Sequence, residues 1–241
     1  MKKFNFLESI AIAGTVSFLL ISCASAIDRR VEEVLADTAI VKPVEPATGI
    51  PGNVMIVQHK VANFAKWKQG YESHDSTRLA YGLHNYIIGK ALNDANNVVV
   101  ILKMDDVNKA KVLTGTQDIK DRMKNEGVIG TPSFEYLEVV MNDTSKIEQA
   151  TRLMIKHKVK NWDAWKTSFD KNKQARIDAG MIDRGIGYSI GNNQMVTLVF
   201  AITDMKKASA FLKSNDLKDK MANAGVDGPP TFFFYNIAQK Y

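Results

Sequence analysis

The sequence predicts an α+β protein built from two copies of one β-α-β-β-α-β unit. The first observation is a repeat: the segment from His59 to Lys68, HKVANFAKWK, recurs 98 residues later, from His157 to Lys166, as HKVKNWDAWK. The second is that apolar residues within each copy alternate between the period of a strand and the period of a helix. The third is that the final strand of the second copy is apolar on both faces, so its sheet needs a covering partner.

The repeat continues without a gap over the length of a small domain, so it is a domain duplication rather than a short solenoid motif. The same offset pairs functional and turn-forming residues: Arg78 with Arg176, Gly82 with Gly180, and Gly127 with Gly225. These matches predict repeat 1 at residues 53–141, a linker at 142–150 and repeat 2 at 151–241.

The N-terminus has the pattern of an export signal. Two lysines precede an apolar run at residues 10–22, which is shorter than the roughly 20 residues that span a bilayer. The run ends in Leu-Ile-Ser-Cys, which is similar to the lipobox of bacterial lipoproteins and indicates lipidation of Cys23, the only cysteine. We therefore expect a signal peptide at 1–22 and a lipid-anchored tether at 23–52. The alternative is cleavage after Ala26, which would give a secreted or periplasmic protein.

The first half of each unit reads as a strand, a helix and two more strands. In repeat 1, residues 55–61 alternate between two faces, as a strand does. Asn63 is a good N-cap for a helix of about 17 residues that ends at Gly82. Apolar runs at 83–92 and 98–104 predict the second and third strands.

The second half of the unit adds a helix and a last strand. Asp106 caps a helix that is interrupted near Gly115 and ends at Gly127, and a Gly-Thr-Pro turn leads into a strand at 133–141. Repeat 2 follows the same order, which is the split-βαβ or ferredoxin-like arrangement. Two helices cover one face of each sheet, and the other face needs the sheet of the other repeat. We therefore predict two ferredoxin-like repeats that pack sheet to sheet as an α+β barrel within one chain.

The two repeats resemble the dimeric α+β barrel superfamily, which includes the antibiotic-biosynthesis-monooxygenase-like domains. The resemblance rests on a His-x-Val-x-Asn-aromatic-x-x-Trp-Lys start and a Gly-Val-x-Gly-x-Pro end, and it covers 53–139 and 151–237. Within the superfamily, the chain resembles a branch of bacterial lipoproteins. The resemblance implies the fold, but the superfamily includes monooxygenases, haem-degrading enzymes, isomerases, cyclases and proteins without catalysis, so it does not imply one function.

Eight residues at equivalent positions are the candidate ligand-binding residues: His59, Lys60, Trp67 and Arg78 in repeat 1, and His157, Lys158, Trp165 and Arg176 in repeat 2. Each histidine is either a base or ligand contact, or a hydrogen-bonded residue at a strand end. Each tryptophan either stacks on a ligand or packs between helix and sheet. Each arginine either binds an anion or complements a helix C-terminus. The lysines share the strand face opposite the histidines, where they either line the space between the sheets or reach water.

The charge of the two repeats restricts the classes of partner that we expect. Repeat 2 has fifteen Lys and Arg against eight Asp and Glu, a net charge of +7, whereas repeat 1 has eleven against ten. The excess either attracts an anionic ligand or lipid, or is a solvated surface. Nucleic acid is not expected because the basic residues form no stripe with aromatic residues between them. No metal motif and no flavin or nicotinamide motif is present, so we expect no metal and no cofactor.

Three functions stay open. The first is a membrane-tethered, monomeric lipoprotein that binds a small, partly apolar or anionic ligand between its repeats. The second is a cofactor-independent enzyme of the monooxygenase-like or cyclase-like kind, in which the His, Trp and Arg side chains would meet at one cavity. The third is a cell-envelope interaction protein without catalysis. No catalytic residue can be assigned from the sequence.

Overall fold

A computed structural model describes residues 52–241, and the predicted signal peptide, Cys23 and most of the tether lie outside the described residues. The strands are β1 Val54–Val61, β2 Leu83–Ala91, β3 Asn97–Met104, β4 Val128–Asn142, β5 Thr151–Val159, β6 Met181–Ser189, β7 Asn192–Ile202 and β8 Val226–Lys240. The helices are α1 Phe64–Ser73, α2 Asp75–Ala80, α3 Val107–Gly115, α4 Gln117–Asn125, α5 Trp162–Lys171, α6 Lys173–Asp178, α7 Met205–Leu212 and α8 Asn215–Asn223. None of these helices is long and apolar enough to cross a membrane.

The predicted helix starts and stops are confirmed. The Asn63 Oδ1 atom accepts a hydrogen bond from the Lys66 amide at 3.0 Å, and Asn161 caps α5 in the same way at 2.9 Å. These caps satisfy amides that the first helical turn leaves free. Gly82 and Gly180 follow α2 and α6 with φ of +69° and +72°, a conformation that costs glycine little.

The long helix predicted after Asn63 is wrong in one respect, because it divides into two short helices in each repeat. The break falls at His74 in repeat 1 and at Asn172 in repeat 2. An arginine from the second helix donates to a carbonyl oxygen beside the break, which also accepts the backbone amide of the residue at the break. Arg78 donates to the Tyr71 carbonyl oxygen at 2.7 Å, and Arg176 donates to the equivalent oxygen of Phe169 at 2.6 Å.

The eight strands form one closed antiparallel barrel in the order β1-β3-β2-β8-β5-β7-β6-β4. Each repeat contributes four neighbouring strands, and the repeats join edge to edge where β2 pairs with β8 and β4 pairs with β6. The predicted fold class is confirmed: two ferredoxin-like repeats enclose a common interior, and the edge pairings close the barrel. Four antiparallel steps separate β1 from β5, so both run in the same direction. Equivalent residues of the two repeats therefore lie at the same end of the barrel.

The last strand of each repeat is longer than predicted, because the Gly-Thr-Pro segment and its counterpart are not turns before the strand. β4 begins at Val128 and β8 at Val226, and both include their glycine and proline residues. Gly130 and Gly228 have φ of +74° and +84°, next to a register shift against β1 and β5. Such a bulge admits glycine conformations without ending the strand.

Apolar side chains form three clusters because successive residues of each strand face opposite sides. Met55 and Val57 lie in an outer cluster that packs against the helices of repeat 1, and Leu153 and Ile155 lie in the matching cluster of repeat 2. The third cluster is inside the barrel: Val54, Ile56, Val99, Ile101, Leu137, Met154 and Tyr235. The interior is thus the face that the two repeats share.

A polar group closes the barrel interior at the ends of β1 and β5. The Lys156 Nζ atom donates to the Gln58 Oε1 atom at 2.6 Å and also forms an ion pair with Glu135. Lys156 belongs to repeat 2 and both of its partners belong to repeat 1. This contact joins the repeats across the interior, and it leaves the opposite end of the barrel for a cavity.

Candidate functional site

A cavity of about 420 Å³ lies inside the barrel, between the two repeats. Apolar side chains from both repeats form most of its wall: Val54, Ile56, Ile101, Leu137, Val139, Val199 and Ile237. The linker, residues 143–150, lines the cavity at the end where β5 begins. The volume is within the usual range for small-molecule sites, which is roughly 300–1,000 Å³.

Arg184 ties the linker to the barrel. Its guanidinium donates to the Asp143 Oδ2 atom at 2.9 Å, to the Ser145 carbonyl oxygen at 2.6 Å and to the Ser145 Oγ atom at 3.1 Å. The side chain is buried, and its charge is balanced by the Asp143 carboxylate. Arg184 therefore already has the partners that a buried guanidinium needs.

Arg152 lines the same cavity without an acidic partner. It is 8% exposed, and its NH1 atom donates only to main-chain oxygens, those of Gln149 at 2.5 Å and Thr151 at 3.1 Å. Within residues 52–241, no carboxylate forms an ion pair with it. Burial lowers the pKa of Arg152 because its charge has lost water, and the nearby charge of Arg184 lowers it further.

Tyr235 is the direct neighbour of Arg152 on the adjacent strand, because the two residues are paired in the register of β5 and β8. The tyrosine is fully buried, and its hydroxyl has no hydrogen-bond partner in the described part of the chain. Burial raises the pKa of this hydroxyl, so it stays protonated at neutral pH. Gly89 makes room for the ring, since a Cβ atom at that position would lie 2.3 Å from the ring's Cδ2 atom.

The polar wall of the cavity breaks the symmetry of the repeats. The residues of repeat 1 that correspond to Arg152 and Tyr235 are Val54 and Leu137, which are apolar. Arg184 corresponds to Tyr86, which also lines the cavity. The cavity therefore has a buried charge without an acidic partner among residues 52–241 only on the side of repeat 2.

The candidate His, Trp and Arg side chains meet elsewhere, in a smaller pocket between the sheet and the helices of each repeat. In repeat 1, His59, Trp67 and Arg78 line a pocket of about 80 Å³. In repeat 2, His157, Trp165 and Arg176 line one of about 90 Å³. Such a meeting is what the enzyme hypothesis predicts. Neither pocket is part of the cavity between the repeats.

Both histidines are buried on the helix-facing side of their strands. His59 and His157 are each 6% exposed, and their ring centroids lie 5.2 and 5.4 Å from those of Trp67 and Trp165. Within the described residues, none of their ring nitrogens has a hydrogen-bond partner, so the hydrogen-bonded alternative is not what the structure shows. Burial lowers the pKa of each histidine to about 4. Both rings are therefore neutral at pH 7.

The arginines bind protein groups at the edge of these pockets. The Arg176 guanidinium makes two hydrogen bonds to the Asp183 carboxylate, at 2.8 and 2.7 Å, and lies 3.5 Å from the centre of the Phe169 ring. Arg78 lies 3.8 Å from the centre of the Tyr71 ring and reaches Asp75 at 3.2 Å. In each repeat, the contact between the arginine and the aromatic ring holds the two short helices together.

The two pockets differ in chemistry. In repeat 1, His74 contacts Arg122 at 2.8 Å and Glu126 at 3.2 Å, and all three line the pocket. Burial raises the pKa of the Glu126 carboxyl. The corresponding residues of repeat 2 are Asn172, Lys220 and Ala224, so of the two pockets only that of repeat 1 is lined by a carboxyl among the described residues.

The two candidate lysines point to water at the far end of the barrel. Lys60 pairs with Asp94 at 2.9 Å, and Lys158 pairs with Asp227 at 2.8 Å. Each lysine side chain is about half exposed, at 56% and 49%. Each lysine lies on the face opposite the histidine, as predicted, and it is the next-to-last residue of its strand, so its side chain reaches water rather than the interior.

Arg152, Arg184 and Tyr235 were not among the sequence candidates. The sequence contained a signal for Arg152. The repeat alignment matches this arginine to the apolar Val54, and the residues that follow it in β5 belong to the core. A cation at an interior position that is apolar in the other repeat indicates a function, because burying a charge is costly. The candidate residues were those that the two repeats share, whereas the polar residues of this cavity lie at positions where the repeats differ.

Solved structures share this fold at low sequence identity. A candidate monooxygenase from Fusobacterium nucleatum has a TM-score of 0.52 at 11% identity, and the match covers 78% of this chain and 92% of that one. A candidate monooxygenase from Lactobacillus acidophilus has a TM-score of 0.50 at 12% identity, covering 78% and 95%. An anthrone oxidase-like protein has a TM-score of 0.53 at 10% identity, covering 79% and 93%.

These similarities establish the class of fold: the chain is a tandem dimeric α+β barrel, with both halves of the barrel in one polypeptide. Comparison with family models found no match, and a sequence comparison with curated proteins found none either. At these identities the solved structures support the fold and no particular activity.

The buried histidines predict a loss of stability in acid. Their pKa is near 6.5 in the unfolded chain and about 4 in the folded one, so the unfolded chain binds more protons between these values. The free energy of unfolding should therefore fall as the pH drops from 6.5 to 4, by up to about 3 kcal/mol for each histidine. Urea unfolding at several pH values measures this.

The His59→Leu/His157→Leu double variant should lose much less stability over that pH interval than the unaltered chain. His84→Leu is the matched control, because His84 is exposed and lies outside these pockets. Equal pH dependence in the double variant and the unaltered chain would show that the two rings already have partners or are accessible to water.

Proposed function

We propose that the protein binds one small, partly apolar molecule in the barrel cavity between its repeats. The observation that carries this proposal is the cavity of about 420 Å³ itself, which lies in an otherwise packed interior. Protein interiors are close-packed, so a gap of this size between two packed sheets is unusual, and a ligand that covers its apolar wall would remove that surface from water. A cavity that is kept open, with polar groups on one side of an apolar wall, is the usual form of a ligand site.

The barrel architecture supports a monomer. Edge strands are the surfaces through which ferredoxin-like sheets pair, and all eight strands here have two neighbours. The pairing that two separate chains would supply is supplied within one chain. We therefore propose that ligand binding needs no second copy.

Native mass spectrometry tests the binding proposal. The full chain, expressed with its export signal and released gently from detergent, should be a monomer that carries one bound molecule. Val199→Phe adds a ring to the cavity wall and should remove the extra mass. Val112→Phe makes the same change at a helix position that is 59% exposed, and this variant should keep it.

Thermal unfolding shows that both variants are folded before they are compared. A Val199→Phe chain that retains the same bound mass as the unaltered chain would place the ligand outside the barrel and contradict the proposal. A chain without any bound molecule would favour the envelope interaction role.

A second candidate function is cofactor-independent oxygenation in the helix–sheet pockets. The observation that favours it is the meeting of His, Trp and Arg at one pocket in each repeat, with the half-buried Glu126 carboxyl lining that of repeat 1. The pockets are small for this role. Their volumes of 80–90 Å³ are below the roughly 150 Å³ of a cavity that holds benzene. An aromatic substrate would have to move the helices.

Oxygen uptake with anthrone as substrate tests this second function. The unaltered chain should consume oxygen at a rate that His59→Leu lowers at least tenfold, with His84→Leu as the control. Uptake no faster than in buffer would exclude this version of the enzyme.

We further propose that the protein is exported and tethered to the bacterial envelope through a lipid on Cys23. The basic start, the short apolar run and the Leu-Ile-Ser-Cys segment support this proposal. Cells fed radioactive palmitate should label the unaltered protein and place it in the membrane fraction, whereas Cys23→Ser should abolish the label. Label in the Cys23→Ser protein, or unaltered protein free in the periplasm, would contradict it.

A further inference from the structure

We propose that the ligand of the barrel cavity is a monocarboxylate, with its head group bound by the Arg152 guanidinium and the Tyr235 hydroxyl and its apolar body directed towards repeat 1. This inference rests on the proposed function, because it names the chemical class of the molecule in the same cavity.

The number of charges follows from the two buried arginines of the cavity. Arg184 has the Asp143 carboxylate at 2.9 Å, so this pair is neutral. Arg152 is equally buried and has only carbonyl oxygens as partners among residues 52–241. Burying an uncompensated charge is costly, and a bound anion removes that cost. One uncompensated positive charge is matched by one negative charge on the ligand.

The shape of the anion follows from the position of Tyr235. Arg152 and Tyr235 are direct cross-strand neighbours, and side chains in such pairs lie about 5 Å apart at Cβ. A carboxylate has two oxygens in one plane, so one can accept from the guanidinium while the other accepts from the hydroxyl. The Tyr235 hydroxyl has no hydrogen-bond partner among residues 52–241, and a buried hydroxyl without such a partner is destabilising. The guanidinium is therefore the first contact of the head group; the hydroxyl is closed to water here, so its contact with the carboxylate requires a small movement of the cavity wall.

The orientation and stoichiometry follow from the differences between the repeats. β1 lies opposite β5 in the ring of eight strands, so the wall that faces Arg152 comes from repeat 1. That wall is apolar at Val54, Ile56, Ile101 and Leu137. Because Val54 and Leu137 replace the arginine and the tyrosine, a second head group has no equivalent site. The cavity should bind one acid in one orientation.

The rim does not provide an alternative explanation for anion binding. Lys103, Lys146 and Lys240 line its exposed part, together with the acidic Glu148 of the linker. Charges at exposed positions are screened by water and salt, so the rim adds little selectivity. The buried guanidinium is the group that distinguishes an acid from a neutral molecule of the same shape.

Isothermal titration calorimetry with octanoate and octanol tests the inference. The two probes share an apolar body and differ in the head group. The full chain with Cys23→Ser is used, so that neither lipid nor detergent competes for the cavity. Octanoate should bind at one per chain and more tightly than octanol. Arg152→Met should weaken octanoate at least about tenfold, and Tyr235→Phe about threefold to tenfold, with octanol unchanged in both.

Two matched controls remove the same groups from the surface. Lys158→Met deletes a cation at the far end of the barrel, and Tyr188→Phe deletes a hydroxyl that bonds Glu138 in an exposed position. Neither should change the affinity for octanoate. Thermal unfolding shows that each variant is folded.

The outcomes separate this inference from the proposed function. Octanol that binds as tightly as octanoate, with no effect of Arg152→Met, would overturn the carboxylate and leave a cavity for neutral molecules. Two octanoates per chain would overturn the single orientation. Binding of neither probe, together with a bound mass that Val199→Phe leaves unchanged, would overturn both the inference and the proposed function.

Discussion

Edge pairing is the constraint on which the rest of this structure depends. A four-stranded ferredoxin-like sheet has two free edges and one uncovered face, and neither is stable in water. The pairing of β2 with β8 and of β4 with β6 removes all four edges at once, and it encloses both uncovered faces. The barrel interior exists because these two contacts hold the repeats at a fixed distance. Lys156 and its partners then close one end of the space that results.

Gene duplication within one chain changes what such a barrel can hold. A barrel made of two identical chains carries every interior residue twice, so its cavity is symmetric. In this chain the two halves have diverged, and Arg152 and Tyr235 have apolar counterparts in Val54 and Leu137. The fold remains symmetric because the glycines, caps and core positions are shared. The chemistry of the cavity is not symmetric, and this difference allows a ligand to bind in one orientation.

The two kinds of pocket are separated by the pleat of the strands. His59 and His157 face the helices, whereas Arg152 and Tyr235 face the barrel interior. Most elements of the fold could be predicted, because caps and periodicity are local signals. The division of the long helix could not, since it depends on Arg78 and Arg176 reaching carbonyl oxygens seven residues earlier. The strand status of Gly130 and its neighbours depends on pairing with β1, which is also a tertiary contact.

The sequence by itself determined the duplication, the β-α-β-β-α-β order and the side of each strand on which a residue lies. These are properties of spacing, and spacing is written in the chain. Only the tertiary structure decided which strand edges pair to close the barrel, that Arg184 is neutralised by a linker residue 41 positions away, and that no carboxylate of residues 52–241 neutralises Arg152. The charge balance of a buried group depends on which neighbours reach it. Those neighbours come from β8, β6 and the linker, which meet only when the chain is folded.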